Sequence, residues 1–92
     1  MKQLEIIEIC SASTKTKVLK QKMTILYDEI RTENPNCTVT VYMNSLVNTT
    51  FSMHLLYKSD NPDGHQSAIG ELIAASLREH GIVNHSVWIQ QR

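Results

Sequence analysis

No stretch of this sequence is apolar for the roughly 20 residues that a membrane-spanning helix requires. Its N-terminus lacks the apolar core of a signal peptide, because Glu5 and Glu8 interrupt it. Excess charge is missing too: nine basic residues balance nine acidic ones. Lys15, Lys17, Lys20 and Lys22 do cluster, but at spacings that suit the solvated face of a helix. A chain without a concentrated basic face is a poor nucleic-acid binder. The two cysteines, Cys10 and Cys37, form neither a CxxC pair nor a zinc spacing. No segment is low in complexity or resembles a linker. These absences point to one domain over residues 1–92, in the cytoplasm with reduced thiols, and engaging neither membrane nor nucleic acid.

What the sequence does contain is six periodic stretches. Residues 3–10 are β-rich and apolar on both faces, with Leu4 and Ile6 on one side and Ile7 and Ile9 on the other. Ser13 or Thr14 is a suitable helix N-cap. From Lys15 to about Thr32, Leu19, Met23, Leu26 and Ile30 recur at helical spacing, with Val18 and Tyr27 widening the stripe. Asn34-Pro35 ends that helix, since the residue before proline is pushed out of the α region.

Residues 37–43 alternate, with Cys37, Val39, Val41 and Met43 facing a core. After a polar connection, residues 51–58 alternate again. Phe51, Met53, Leu55 and Tyr57 point in, while Ser52, His54, Leu56 and Lys58 point out. Asn61-Pro62-Asp63-Gly64 has turn chemistry. Asp60, Asp63 and Gly64 lack the later glutamate of a calcium loop.

The last third, Gly64 to Trp88, reads as a helix, a glycine stop and a strand. Ser67 is its expected N-cap, Ile69, Leu72, Ile73, Ser76 and Leu77 its buried stripe, and Gly81 a left-handed terminator. Gly70 and Ala74 then fall on the outer side of the helix. Residues 83–90 alternate, with Val83, His85, Val87 and Ile89 facing the core and Asn84, Ser86, Trp88 and Gln90 facing away.

This order, βαββαβ, predicts a ferredoxin-like α+β fold: a four-stranded antiparallel sheet in the order 4-1-3-2, with both helices on one face. The uncovered face should be polar, yet strand 1 is apolar there and Leu56 and Trp88 join it. A tryptophan buries up to about 250 Å², which at about 25 cal/mol per Å² is worth several kcal/mol. The expected partner for that face is a second copy of the chain.

The same face gathers polar groups at one end: Tyr42, Ser52, His54 and Asn84 or Ser86. Glu8 joins them if strand 1 turns Leu4, Ile6 and Glu8 outward, and that register keeps Glu8 out of the core. An imidazole beside a carboxylate and a phenol is a reasonable acid–base group. This makes His54, Tyr42 and Glu8 the candidate catalytic residues, with Ser52, Leu56, Ser86 and Trp88 the candidate ligand contacts. His85, on the core face, is expected to be a satisfied buried histidine rather than a metal ligand. His65 and His80 have no acidic or cysteine partner at ligand spacing, so no metal is expected.

A short βαββαβ chain with an apolar open face, in the segment from His54 through Trp88 above all, resembles the dimeric α+β barrel superfamily. Antibiotic-biosynthesis-type monooxygenases, stress-responsive barrel proteins and chlorite dismutase relatives are among its members. The resemblance is one of fold and spans the whole chain. It implies pairing of two open faces and a cleft between sheet and helices that can hold a small apolar or aromatic molecule. It implies no haem or other cofactor, since the helical insertions of haem-binding relatives are absent. The metal-chaperone MxCxxC loop, the acylphosphatase phosphate loop and the aromatic platform of RNA-recognition domains are missing. Three readings follow: a ligand-binding barrel on the sheet face, a cofactor-free monooxygenase-type enzyme using His54, and a dimerising module without ligand.

Overall fold

A computed structural model describes residues 1–59 and 63–92. The strands and helices follow the expected order: β1 (Lys2–Cys10), α1 (Thr16–Glu33), β2 (Thr38–Met43), β3 (Thr50–Lys58), α2 (Ala68–Leu77) and β4 (Ile82–Ile89). The sheet order is β2-β3-β1-β4, with all neighbours antiparallel. This is the ferredoxin-like arrangement, with β1 and β3 central. α1 packs on β2, and α2 on β1 and β4.

Period-2 alternation decides the core. In β1, Gln3, Glu5, Ile7 and Ile9 are buried beneath the helices, while Leu4 and Ile6 face the other way. Phe51, Met53 and Leu55 of β3 complete the floor. The α1 stripe is Leu19, Met23, Leu26 and Ile30, as the spacing predicts. Val18 lies outside it and is 54% exposed. A 3-10 turn over Ser13–Lys15 precedes α1. The position before the helix is therefore Lys15, which makes no side-chain cap, and not Ser13 or Thr14.

Two expectations about the last third are corrected. The buried face of α2 is Gly70, Ile73, Ala74 and Leu77, whereas Leu72 is 68% exposed. The small residues therefore face the sheet and let the helix approach it. Gly81 does not adopt a left-handed conformation; among the described residues, Gly64 alone has positive φ, at 75°. Gly81 is needed for a different reason. A Cβ there would fall on the Cys10 carbonyl oxygen and lie 3.1 Å from the Ser11 Cα. Backbone cannot move aside cheaply, so Gly81→Ala should cost about 1–3 kcal/mol. A calorimetric melt should show Tm falling by roughly 4–8 °C per kcal/mol, and an unchanged Tm would contradict this reading. Asn61 and Pro62 of the turn expected at Asn61–Gly64, and Asp60 beside it, lie outside the described residues.

Candidate functional site

The open face is laid out by strand register. One cross-strand row runs Thr38, Leu56, Leu4, Trp88; the next runs Thr40, His54, Ile6, Ser86; a third runs Tyr42, Ser52, Glu8, Asn84. The predicted polar group and the predicted apolar group therefore occupy opposite ends of one face. His54 Nε2 lies 3.2 Å from Ser52 Oγ, and its ring packs against Tyr42 with centroids 4.6 Å apart. Burial lowers the His54 pKa below its ordinary 6.5. Glu8 points outward as its register requires and is exposed. Among the described residues no hydrogen bond joins Glu8 to His54. Trp88, 59% exposed, donates its indole N–H to Ser86 Oγ at 3.0 Å.

The same register that frees Glu8 sends Glu5 into the core, where its residue is 0% exposed. There it collects donors. Its Oε1 accepts the backbone N–H of Ser67 at 3.0 Å and lies 2.8 Å from His85 Nε2, while Oε2 accepts the Tyr57 hydroxyl at 2.8 Å. Burial by itself would raise the Glu5 pKa. Hydrogen bonds from the Ser67 hydroxyl, Tyr57, the Ser67 N–H and His85 outweigh it and hold the carboxyl below 4.5. Glu5 is thus an ionised group in an apolar core. Tyr57 answers in the opposite sense: burial, its bond to Glu5 and the Glu5 charge push it up to about 12.

Local sequence explains the arrangement. Ser67 caps α2 by accepting the Gly70 N–H at 2.9 Å. In a capping box, a glutamate three residues after the cap takes the cap's own N–H. Here that position is Gly70, and Glu5 reaches in from β1 to do the same job. A Cβ on Gly70 would fall on Glu5 Oε1 and lie 3.0 Å from the His85 ring. His85 is a buried histidine satisfied through Nε2, as expected, with its side chain 4% exposed. Its Nδ1 is buried and has no hydrogen-bond partner among the described residues. Gln3 completes the cluster. Its Nε2 donates to the Tyr57 oxygen at 2.9 Å and to the His65 carbonyl at 3.0 Å.

A groove opens beside this cluster. β2 begins at Thr38, opposite Leu56, so Tyr57 and Lys58 of β3 pair with β1 on one side and have no strand on the other. The gap, between the end of α1 and the start of α2, is a hollow of ≈ 780 Å³. Leu55, Ile69 and Pro35 supply apolar wall; Tyr57 and Ser67 also line it; Lys2 and Lys58 stand at the strand ends. Cys37 also lines it, its thiol pKa raised by burial and by the Glu5 charge. Of the sequence-predicted site residues only Leu56 reaches this groove. A second hollow, ≈ 490 Å³, lies between α1 and β2, and neither is lined by His54, Tyr42 or Trp88.

The sequence reading missed Glu5, although the signal was present. Turning Glu8 outward in a strand of period two necessarily turns Ile7 and Glu5 inward, three residues along from Glu8. His85 and Tyr57 were already on the core face, so a buried carboxylate had its partners to hand. Among the described residues no cluster of histidine, cysteine and carboxylate side chains could hold a metal ion, and no helix is long and apolar enough to cross a membrane.

No family model matches the chain, and no curated protein does. Solved structures do. A conserved protein from Methanosarcina mazei Go1 superposes with TM-score 0.75 at 14% identity, over 99% of this chain and 94% of that one. The Rv0793 protein of Mycobacterium tuberculosis gives 0.74 at 15%, over 100% and 97%. A candidate antibiotic biosynthesis monooxygenase from Nitrosomonas europaea gives 0.72 at 10%, over 98% and 90%. At these identities the likeness speaks for the fold alone: the chain shares the ferredoxin-like α+β fold of these structures.

Proposed function

We propose that this protein binds a small aromatic molecule in the groove between α1 and α2, as one half of a cytoplasmic homodimer joined through the open sheet faces. The observation that carries the reading is the groove itself. Ligand sites are commonly apolar hollows of about 300–1,000 Å³ with a few fixed polar groups. This one has ≈ 780 Å³, apolar side chains, and in its lining Tyr57, whose hydroxyl bonds an ionised core carboxylate. The open face supports the pairing, because Leu4, Ile6, Leu56 and Trp88 lie together on it without a helix above them.

The test is a calorimetric titration with 1-naphthol. The wild-type protein should bind it, and Ile69→Trp, which fills the groove from its wall, should weaken binding at least tenfold. Equal binding by both proteins would contradict the groove as the site, and no binding by either would favour a dimerising module without ligand.

A second reading keeps monooxygenase-type chemistry at the sheet face, with His54 as acid and base and Tyr42, Glu8, Ser52, Ser86 and Trp88 around it. Its support is the contact of His54 with Ser52 and Tyr42, which holds the ring in place.

A further inference from the structure

We infer that the groove takes an aromatic anion, an aryl carboxylate whose ring lies on the apolar wall and whose charge is held at the mouth by Lys2 and Lys58. This rests on the groove being the ligand site and adds the class of molecule it takes. The layout of charge carries it. Three charged side chains line the groove: Lys2, Lys58 and Glu33. Lys2 and Lys58 stand directly opposite one another in the β1–β3 register. Side chains paired in this way leave the sheet on the same face with Cβ atoms about 5 Å apart, and like charges so placed destabilise each other. Both residues are exposed, and among the described residues neither ammonium is in an ion pair. An anion that binds between two such cations relieves their repulsion. The lysine stem is flexible, so both ammonium groups can close on one carboxylate.

Another part of the lining carries the other sign. Residues 33–38 run from the end of α1 to the start of β2, and all of them line the groove. Glu33 stands at the head of that segment. The buried, ionised Glu5 is felt at Cys37, whose thiol it helps to push up. A carboxylate is repelled from this segment and drawn to the strand ends, where Lys2 and Lys58 meet. The groove is therefore polarised, and an aryl carboxylate enters it in one orientation.

The experiment compares 1-naphthoate with 1-naphthol, alike in ring but differing in charge, by calorimetry at neutral pH on the full chain. The wild-type protein should bind the naphthoate about fivefold tighter, the worth of two partly exposed ion pairs. That ratio should fall toward one between about 0.01 M and about 1 M salt, as the charges are screened. The double variant Lys2→Gln, Lys58→Gln should lose the preference. Without ligand it should melt no lower than the wild type, because it removes a repulsive pair. Lys17→Gln makes the same kind of charge change on an exposed residue of α1 outside the lining, and should keep the preference. Equal wild-type affinity for the two compounds would overturn the inference while leaving the groove as the site. So would a preference that survives in the double variant or in about 1 M salt, or one that Lys17→Gln removes. A double variant that melts clearly below the wild type would give the lysines to the fold and overturn it too. No binding of either compound would overturn both the inference and the proposed site.

Discussion

Replacing Glu5 with alanine should leave much of the chain unfolded. The substitution removes the one acceptor shared by the Ser67 N–H, the Tyr57 hydroxyl and His85 Nε2, and leaves those groups at a site where the replaced residue was 0% exposed. Breaking a buried charged network from one side costs about 3–5 kcal/mol, because the stranded donors keep their desolvation penalty. A domain of this size has only about 5–15 kcal/mol in total. Urea unfolding should show a large drop in midpoint for Glu5→Ala and a smaller one for Glu5→Gln, which keeps the amide oxygen for Ser67. A Glu5→Ala midpoint equal to the wild type would mean the cluster is dispensable.

The same network fixes the sign of the acid response. The folded Glu5 carboxyl titrates below its ordinary 4.5. Its ionisation therefore contributes its full stability above pH 4.5, and that contribution is lost as the pH falls through the lower folded value. Glu5→Gln has no such group, so the gap in stability between wild type and this variant should narrow as the pH drops below 4.5.

Leu4→Asp should dissociate the proposed dimer. Leu4 is the centre of the apolar row, paired with Leu56 on one side and Trp88 on the other. A carboxylate there would be desolvated against the partner's apolar surface without an opposite charge. Loss of a central contact of this kind is worth about 3 kcal/mol, or a hundredfold in Kd. Light scattering at micromolar concentration should give twice the 10.5 kDa chain mass for the wild type and the single-chain mass for Leu4→Asp. Circular dichroism should show that the variant keeps its secondary structure, since Leu4 faces away from the helices. A wild type that is already a 10.5 kDa species would remove the basis for pairing.

Fold and site were legible to different degrees, for a physical reason. Alternation and helical spacing are local, so Phe51, Met53 and Leu55, or Leu19, Met23, Leu26 and Ile30, declare their faces within a few residues. The residues that share the open face followed from alternation and strand order, while the direction of Glu8 stayed conditional on the register of β1. Glu5, Tyr57, Ser67 and His85 come from four different segments and meet only after the sheet and α2 have closed on each other. A charged residue in the first strand looks like a surface residue until its partners are known. Gly70 and Gly81 misled in a related way. Each resembles a local device, a surface filler or a helix terminator, and each is glycine because another segment presses against it. The groove was illegible because it depends on where β2 begins, opposite Leu56 and short of the end of β3.

The central claim is that a small aromatic molecule enters the groove floored by Tyr57 and Ser67. Backbone amide NMR during a titration with 1-naphthol tests it directly. The account predicts that the largest shifts fall on Leu55, Tyr57, Ser67 and Ile69. Shifts concentrated on Thr40, His54 and Ser86 of the open face, or no shifts at saturating ligand, would contradict it.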